Sequence, residues 1–295
     1  MFTSCKTGRV YAALRDVPDS RDLHVSLAPV NLAPAIHPSG NKAFLGPVKN
    51  QGNEGCCTGF GNAGMREFLY RKYYEFEKDK TVDPSKFVAS AQFAYWNARA
   101  AEGTTKQDSG AGVRDAVKGI NQFGVCLESD LPYRDGSFYV TPTPQQFAAA
   151  LKYKAGAYHA VPSDVETMKS VLASGYVFTQ GIDVYESFED DYTARCGIML
   201  LPNTQFEQYM GGHCTLVYDF DDKNEWFICR NSWGTNWGSD GDFFMPYKLV
   251  TMGLAHDMWI QHLGKPWAPA VEKVETPAPA VTEATPEIEP TLVTL

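Results

Sequence analysis

The sequence contains no run approaching the eighteen or so consecutive apolar residues that a helix needs to cross a bilayer. Its opening, Met1-Phe2-Thr3-Ser4-Cys5-Lys6-Thr7-Gly8-Arg9, lacks the apolar centre of a secretory signal, so no cleaved leader is expected. It also lacks any Cys-x-x-Cys pair. Its seven cysteines are an odd number, which does not suit a disulfide framework. Adjacent residues such as Cys56 and Cys57 have poor geometry for bonding one another. The expectation is therefore free thiols in a reducing, cytoplasmic compartment, with association with a virion or a host cell left open. Basic charge is in deficit, 26 Lys and Arg against 35 Asp and Glu. The resulting net charge of −9 argues against nucleic acid or an anionic membrane as partner. His24, His37, His159, His256 and His262 show no ligand spacing, so neither a metal site nor a cofactor is expected.

What is present is core-forming material. A hydrophobic fraction of 44% and an aromatic fraction of 13% suffice for a large interior. Three regions differ in composition. Residues 1–40 mix Pro, Asp and short apolar pieces, with Pro18-Asp19-Ser20-Arg21-Asp22 as a polar turn, and read as an extended arm wrapping the body. Residues 41–265 carry the periodic segments of one domain. Residues 266–295, as in Thr276-Pro277-Ala278-Pro279-Ala280, read as a disordered acidic tail.

The domain is organised around Gln51-Gly52-Asn53-Glu54-Gly55-Cys56-Cys57-Thr58-Gly59-Phe60-Gly61-Asn62-Ala63. Behind it, Met65 to Tyr74 carries apolar residues at helical spacing, so a Gly-rich loop turns into a buried helix with Cys57 in its first turn. A thiol there feels the positive end of the helix dipole, which favours the nucleophilic thiolate. The Gln51 amide can donate to an oxygen that turns negative during acyl transfer. Taken alone, such a cysteine is more often a small core residue.

Two later stretches change that reading. Gly211-Gly212-His213-Cys214-Thr215-Leu216-Val217-Tyr218 is a strand with His213 near its start, and Glu225 to Arg230 is a second strand that ends in Asn231-Ser232-Trp233-Gly234. The turn Asp221-Asp222-Lys223-Asn224 joins them as a hairpin that could bring Asn231 beside His213. Asparagine can orient an imidazole, and an adjacent tryptophan can shield their hydrogen bond from water.

In the order Gln, Cys, His, Asn, and above all in Asn231-Ser232-Trp233-Gly234-Thr235-Asn236-Trp237-Gly238, the chain resembles the papain-like cysteine peptidases of the C1 family. The resemblance is to the bacterial and viral branch, which is often built without disulfides. It implies an α+β fold of two lobes, helix-rich then β-rich, with the active site in the cleft between them. It implies Cys57 as nucleophile, His213 as general base and acid, Asn231 as its orienter and Gln51 as oxyanion-hole donor, cleaving a peptide or protein substrate through an acyl-enzyme. It places Ser109, Gly110, Gly212 and Trp233 against that substrate. A thiolate–imidazolium pair is the resting state expected of such a site. Alternatives on the same fold are a non-hydrolytic peptide-binding protein and a cysteine acyltransferase or ligase. Oligomeric state is left open.

The chain departs from the family around the nucleophile. The signature Cys-Gly-[Ser/Ala]-Cys-[Trp/Tyr] is here Glu54-Gly55-Cys56-Cys57-Thr58, with an acid where secreted members have a disulfide cysteine. His213 and Asn231 also lie farther from Cys57 than the roughly 130–150 residues of the secreted enzymes. The arm is too short to resemble their helical propeptide, so no large inhibitory prodomain is expected. Other expectations are a helix over Pro84–Arg99, a helix starting within Val161–Lys169 and ending near Ser174-Gly175, a Gly-rich loop at 107–112 opening a helix, and a strand over Tyr176–Val184. The stretch Gly124 to Tyr133 matches a structural turn of the family. The acidic cluster Asp183, Glu186, Glu189, Asp190 and Asp191 reads first as a solvated face, and otherwise as a feature favouring basic substrates.

Overall fold

The computed structural model describes residues 7–25 and 39–263, together with the backbone of a short strand β1 (Phe2–Thr3). Cys5, His37 and the acidic tail expected over 266–295 lie outside the described residues. Strand β2 (Val10–Tyr11) pairs antiparallel with β1, and β3 (Ala13–Leu14) follows directly.

Helix α1 (Cys57–Lys72) is buried on nearly every side. Its apolar residues are accordingly not confined to one stripe, as expected for a helix enclosed by the fold. Arg71 and Lys72 occupy its last turn, where cations complement the dipole. Two of its glycines permit the close approach on opposite faces. At Gly59 a Cβ would lie 2.7 Å from the Tyr95 side chain on helix α2 (Ala91–Glu102), and at Gly61 it would lie 3.0 Å from the Cys214 sulfur. The helix expected over 84–99 is divided: a 3-10 turn covers Pro84–Lys86, and α2 begins only after Ser90. Ser90 is why, because its hydroxyl accepts from Phe93 N–H while Ala89 bridges to Leu127, so the backbone between is extended.

Strand β4 (Ala111–Gly112) opens helix α3 (Val113–Phe123). Helix α4 covers Pro144–Ala150. It starts on a capping box in which Thr143 accepts from Gln146 N–H and Gln146 from Thr143 N–H.

The second half is β-rich. In chain order it comprises β5 (Ala157–Val161), α5 (Val165–Ala173), β6 (Phe178–Tyr185), α6 (Asp191–Cys196), β7 (Tyr209–Asp221), β8 (Trp226–Arg230), β9 (Asp242–Pro246), α7 (Tyr247–Thr251) and β10 (Ala255–His262). The longer strands form one antiparallel sheet in the order β5-β10-β6-β7-β8-β9. Its core includes Phe178, Val217, Phe220, Phe227 and Phe243, whereas the helical half is built on Tyr70, Phe87, Phe93, Tyr95 and Tyr153. A third cluster joins the halves: Cys57, Met65, Phe68 and Leu69 of α1 pack on Cys214, Leu216 and Tyr218 of β7. Burying these side chains, at about 25 cal/mol per Å² of apolar surface, holds the nucleophile's helix against the histidine's strand. The fold is the expected mixed α+β arrangement of two lobes.

Candidate active site

Cys57 is the first residue of α1, and its neighbour Cys56 caps the helix with no side-chain hydrogen bond to it. His213 lies on β7, opposite Ile182 of β6. Asn231 follows the end of β8, with its N–H donated to Gly241 O at 2.9 Å. His213 Nε2 lies 2.8 Å from Asn231 Oδ1, and that oxygen also accepts from Ser232 N–H. With the amide oxygen facing it, Nε2 is the protonated nitrogen. Nδ1 is buried with no hydrogen-bond partner among the described residues. Trp233 stacks on the imidazole at 4.7 Å between ring centres, covering the His–Asn hydrogen bond.

Gln51 is fixed from both ends of its amide. Its Oε1 accepts from Ser232 Oγ at 2.5 Å, and its Nε2 donates to Glu54 O at 2.9 Å. One Nε2 hydrogen remains for an oxyanion. The loop itself is pinned by Tyr133, whose hydroxyl donates to Gln51 O at 2.5 Å and lies 3.5 Å from Cys56 Sγ. Ser232 and Tyr133 were not singled out from the sequence; Ser232 stood inside a motif, while Tyr133 carried no signal beyond a structural turn. Glu54 is buried, and burial, reinforced by Asp108, pushes its carboxyl up to about 7.

The arm enters this site. The Ala12 backbone amide reaches the Cys57 sulfur, alongside the amides of Cys214 and Thr58. A Cβ on Gly110 would collide with the Ala12 carbonyl oxygen, and one on Gly212 with that of Ala13, so both glycines are required for the arm to lie where it does. β3 pairs in parallel with β4, Ala13 opposite Ala111 and Leu14 opposite Gly112. Of the four residues expected against the substrate, Gly110, Gly212 and Trp233 thus touch the arm directly, while Ser109 Oγ donates within its own loop. The arm's ladder falls on 111–112, and Gly110 N–H is given to Tyr95 OH at 3.0 Å. On the other side of Cys57, the Arg9 guanidinium stacks over Trp233 at 4.2 Å and lies 3.5 Å from both oxygens of Glu189. The Tyr11 hydroxyl donates to the same carboxylate. Between residues 9 and 16 the extended arm fills the cleft.

This corrects the expected resting state. With the arm in place Cys57 and His213 have no exposed surface. Burial pushes the thiol up to about 11 against the opposing backbone amides, and burial pulls the imidazole down to about 4 against the Asn231 hydrogen bond. Both groups are neutral near pH 7. A thiolate–imidazolium pair requires the polarity that the arm excludes.

The arrangement is that of a cysteine peptidase of the papain class: a thiol at a helix N-terminus, and a histidine on the facing strand, oriented by an asparagine beneath a tryptophan. The family model for the papain family cysteine proteases matches residues 36–261, and the chain belongs to that family. A peptidase C1-like protein of Acanthamoeba polyphaga mimivirus is 34% identical over 220 residues, covering 72% of this chain and 68% of that protein. The viral cathepsin of Orgyia pseudotsugata multicapsid polyhedrosis virus is 23% identical over 217 residues, covering 72% of this chain and 59% of its own length. Among solved structures, xylellain, a cysteine protease from Xylella fastidiosa, superposes with a TM-score of 0.72 at 30% identity, over 87% of this chain and 97% of that one.

Proposed function

We propose that this chain hydrolyses peptide bonds through an acyl-enzyme formed on Cys57 once the arm has left the cleft. The observation that carries the reading is the His213–Asn231 pair, with Nε2 fixed at 2.8 Å and Nδ1 left for the thiol proton. His213 Nδ1 takes the proton from Cys57, and the sulfur attacks the scissile carbonyl. The oxyanion is held by the remaining Gln51 N–H and the backbone N–H of Cys57. The imidazolium returns its proton to the leaving amine, and the neutral ring then activates water to release the acid.

In this reading the leaving amine lies toward His213 and Trp233, and the acyl portion lies along 109–112. A substrate therefore runs, amino to carboxyl, toward Trp233. The arm runs the opposite way, from Arg9 at Trp233 to Leu14 at Gly112. It fills the cleft without presenting a carbonyl in the orientation for attack, which supports its standing there uncleaved. Free thiols at Cys56, Cys57, Cys126, Cys196, Cys214 and Cys229 support a reducing compartment as the working environment.

Cys57→Ala should abolish turnover of a casein or peptide substrate, and Cys56→Ala should retain it, since the Cys56 thiol is buried against Tyr133 and raised far above its ordinary value. Wild-type turnover by Cys57→Ala would sink the assignment.

A further inference from the structure

We infer that Asp183 is a specificity-determining residue of the cleft, its carboxylate receiving an arginine or lysine side chain from the acyl side of a bound peptide. The inference rests on the peptidase reading above and deepens it. Asp183 belongs to β6 and stands opposite Gly212 of β7, the glycine over which the Ala13 carbonyl passes. Its carboxylate therefore borders the cleft floor rather than an outer face. The arm shows what fits there. Arg15 Nη2 lies 2.5 Å from Asp183 Oδ2 and donates to Gly253 O at 3.2 Å, a carboxylate and a carbonyl together taking one guanidinium edge. About half of the Arg15 side chain stays in solvent, so the outer end of the subsite is open and accommodates a lysine as well as an arginine.

The remaining groups facing the carboxylate are weaker partners. His256 Nε2 is 3.4 Å from Oδ1, and its other nitrogen is held by Asp257 at 2.7 Å; the Tyr209 hydroxyl is 3.5 Å away. When the arm leaves, Asp183 loses its shortest contact, and among the described residues His256 and Tyr209 still face it. A carboxylate that has lost its guanidinium partner favours a ligand that restores a cation. Arg15 is three residues beyond Ala12, roughly 10 Å of extended chain. A substrate running the other way over the same glycines brings a side chain to this carboxylate about two to four residues before the scissile bond. Of the acidic cluster seen in the sequence, Asp183 is thus part of the cleft wall.

The test uses the full chain and matched peptidyl vinyl sulfones that differ only in arginine or norleucine at successive acyl-side positions. The rate of Cys57 modification is read by intact mass and peptide mapping. Arm opening multiplies both rates alike, so the ratio of the two reports the subsite alone. At one position the arginine probe is expected to react about tenfold faster or more, as a charge-assisted hydrogen bond provides. Arg15→Ala should accelerate both probes and keep the ratio. Asp183→Asn should bring the ratio to about one, and Asp183→Ala does the same if asparagine disturbs His256. A ratio near one at every position in the wild-type chain, or a preference that survives in both Asp183 variants, overturns the assignment. Failure of every peptidyl probe while iodoacetamide alkylates Cys57 overturns the peptidase reading itself, and the assignment with it.

Discussion

Asn231 touches no reacting atom in the proposed mechanism; it fixes one nitrogen of the ring whose other nitrogen works. Its side chain is held by His213 Nε2 and Ser232 N–H on the same oxygen, so replacing it frees the imidazole to rotate. Asn231→Ala should lower kcat by up to roughly 10²-fold, the usual cost of misplacing a reacting group, and leave KM nearly unchanged. A loss as complete as that of Cys57→Ala would mean that Asn231 takes part in the chemistry directly. Residues of this kind were legible because the motif names them. Ser232 and Tyr133 were not. Their part is to aim the Gln51 amide and its loop, through contacts between residues 181 and 82 positions apart.

At the scale of elements, α1 is the part on which both halves depend, and it is tied down by a buried ion pair. Arg66 has no exposed side-chain surface and forms a fork with Glu77 at 2.7 and 2.8 Å, while its Nε donates to Tyr153 O. Removing one member leaves an uncompensated charge inside. Arg66→Met should therefore cost about 3–5 kcal/mol of unfolding free energy, measured by chemical denaturation; a loss below about 1 kcal/mol would show that Glu77 reaches solvent or takes a proton at little cost. Helical spacing revealed α1 in the sequence, yet the same method ran the next helix through Ser90. The local signal for its start is Ser90, accepting from the N–H three residues on, but Asp83 accepts from Ser85 N–H beside Pro84 and offers an equally good start earlier in the chain.

For the whole molecule, the proposed activity requires the arm to leave the cleft. Asp16 couples that step to pH. Its carboxylate accepts from Trp259 Nε1 at 2.8 Å and from Arg114 N–H, but burial and the nearby Asp257 outweigh these bonds and push it up to about 6 from 3.8. A group whose docked value is raised stabilises docking fully below its free value, and that contribution is lost as pH rises through the docked value. The arm should thus be held most firmly below about pH 4 and loosen up to about pH 6, on account of Asp16. Alkylation of Cys57 by iodoacetamide, divided by the rate for Asp16→Asn at each pH to cancel the thiol's own titration, should rise across that window. A flat ratio would remove Asp16 from the latch.

Catalytic chemistry was already written in the chain, because the motifs around Cys57, His213 and Asn231 are each local and their order survives insertions. The α+β order of elements was likewise legible, since helical and strand periodicities are properties of short segments. The occupant of the cleft was not. Nothing in Val10-Tyr11-Ala12-Ala13-Leu14 marks it as lying over a nucleophile more than forty residues away. Its place depends on Gly110 and Gly212 leaving room for a backbone, and on Glu189 and Asp183 meeting Arg9 and Arg15. The protonation of the thiol and imidazole follows from that packing alone, because burial is a property of the assembled structure, whereas the nucleophile's identity is a property of the residue.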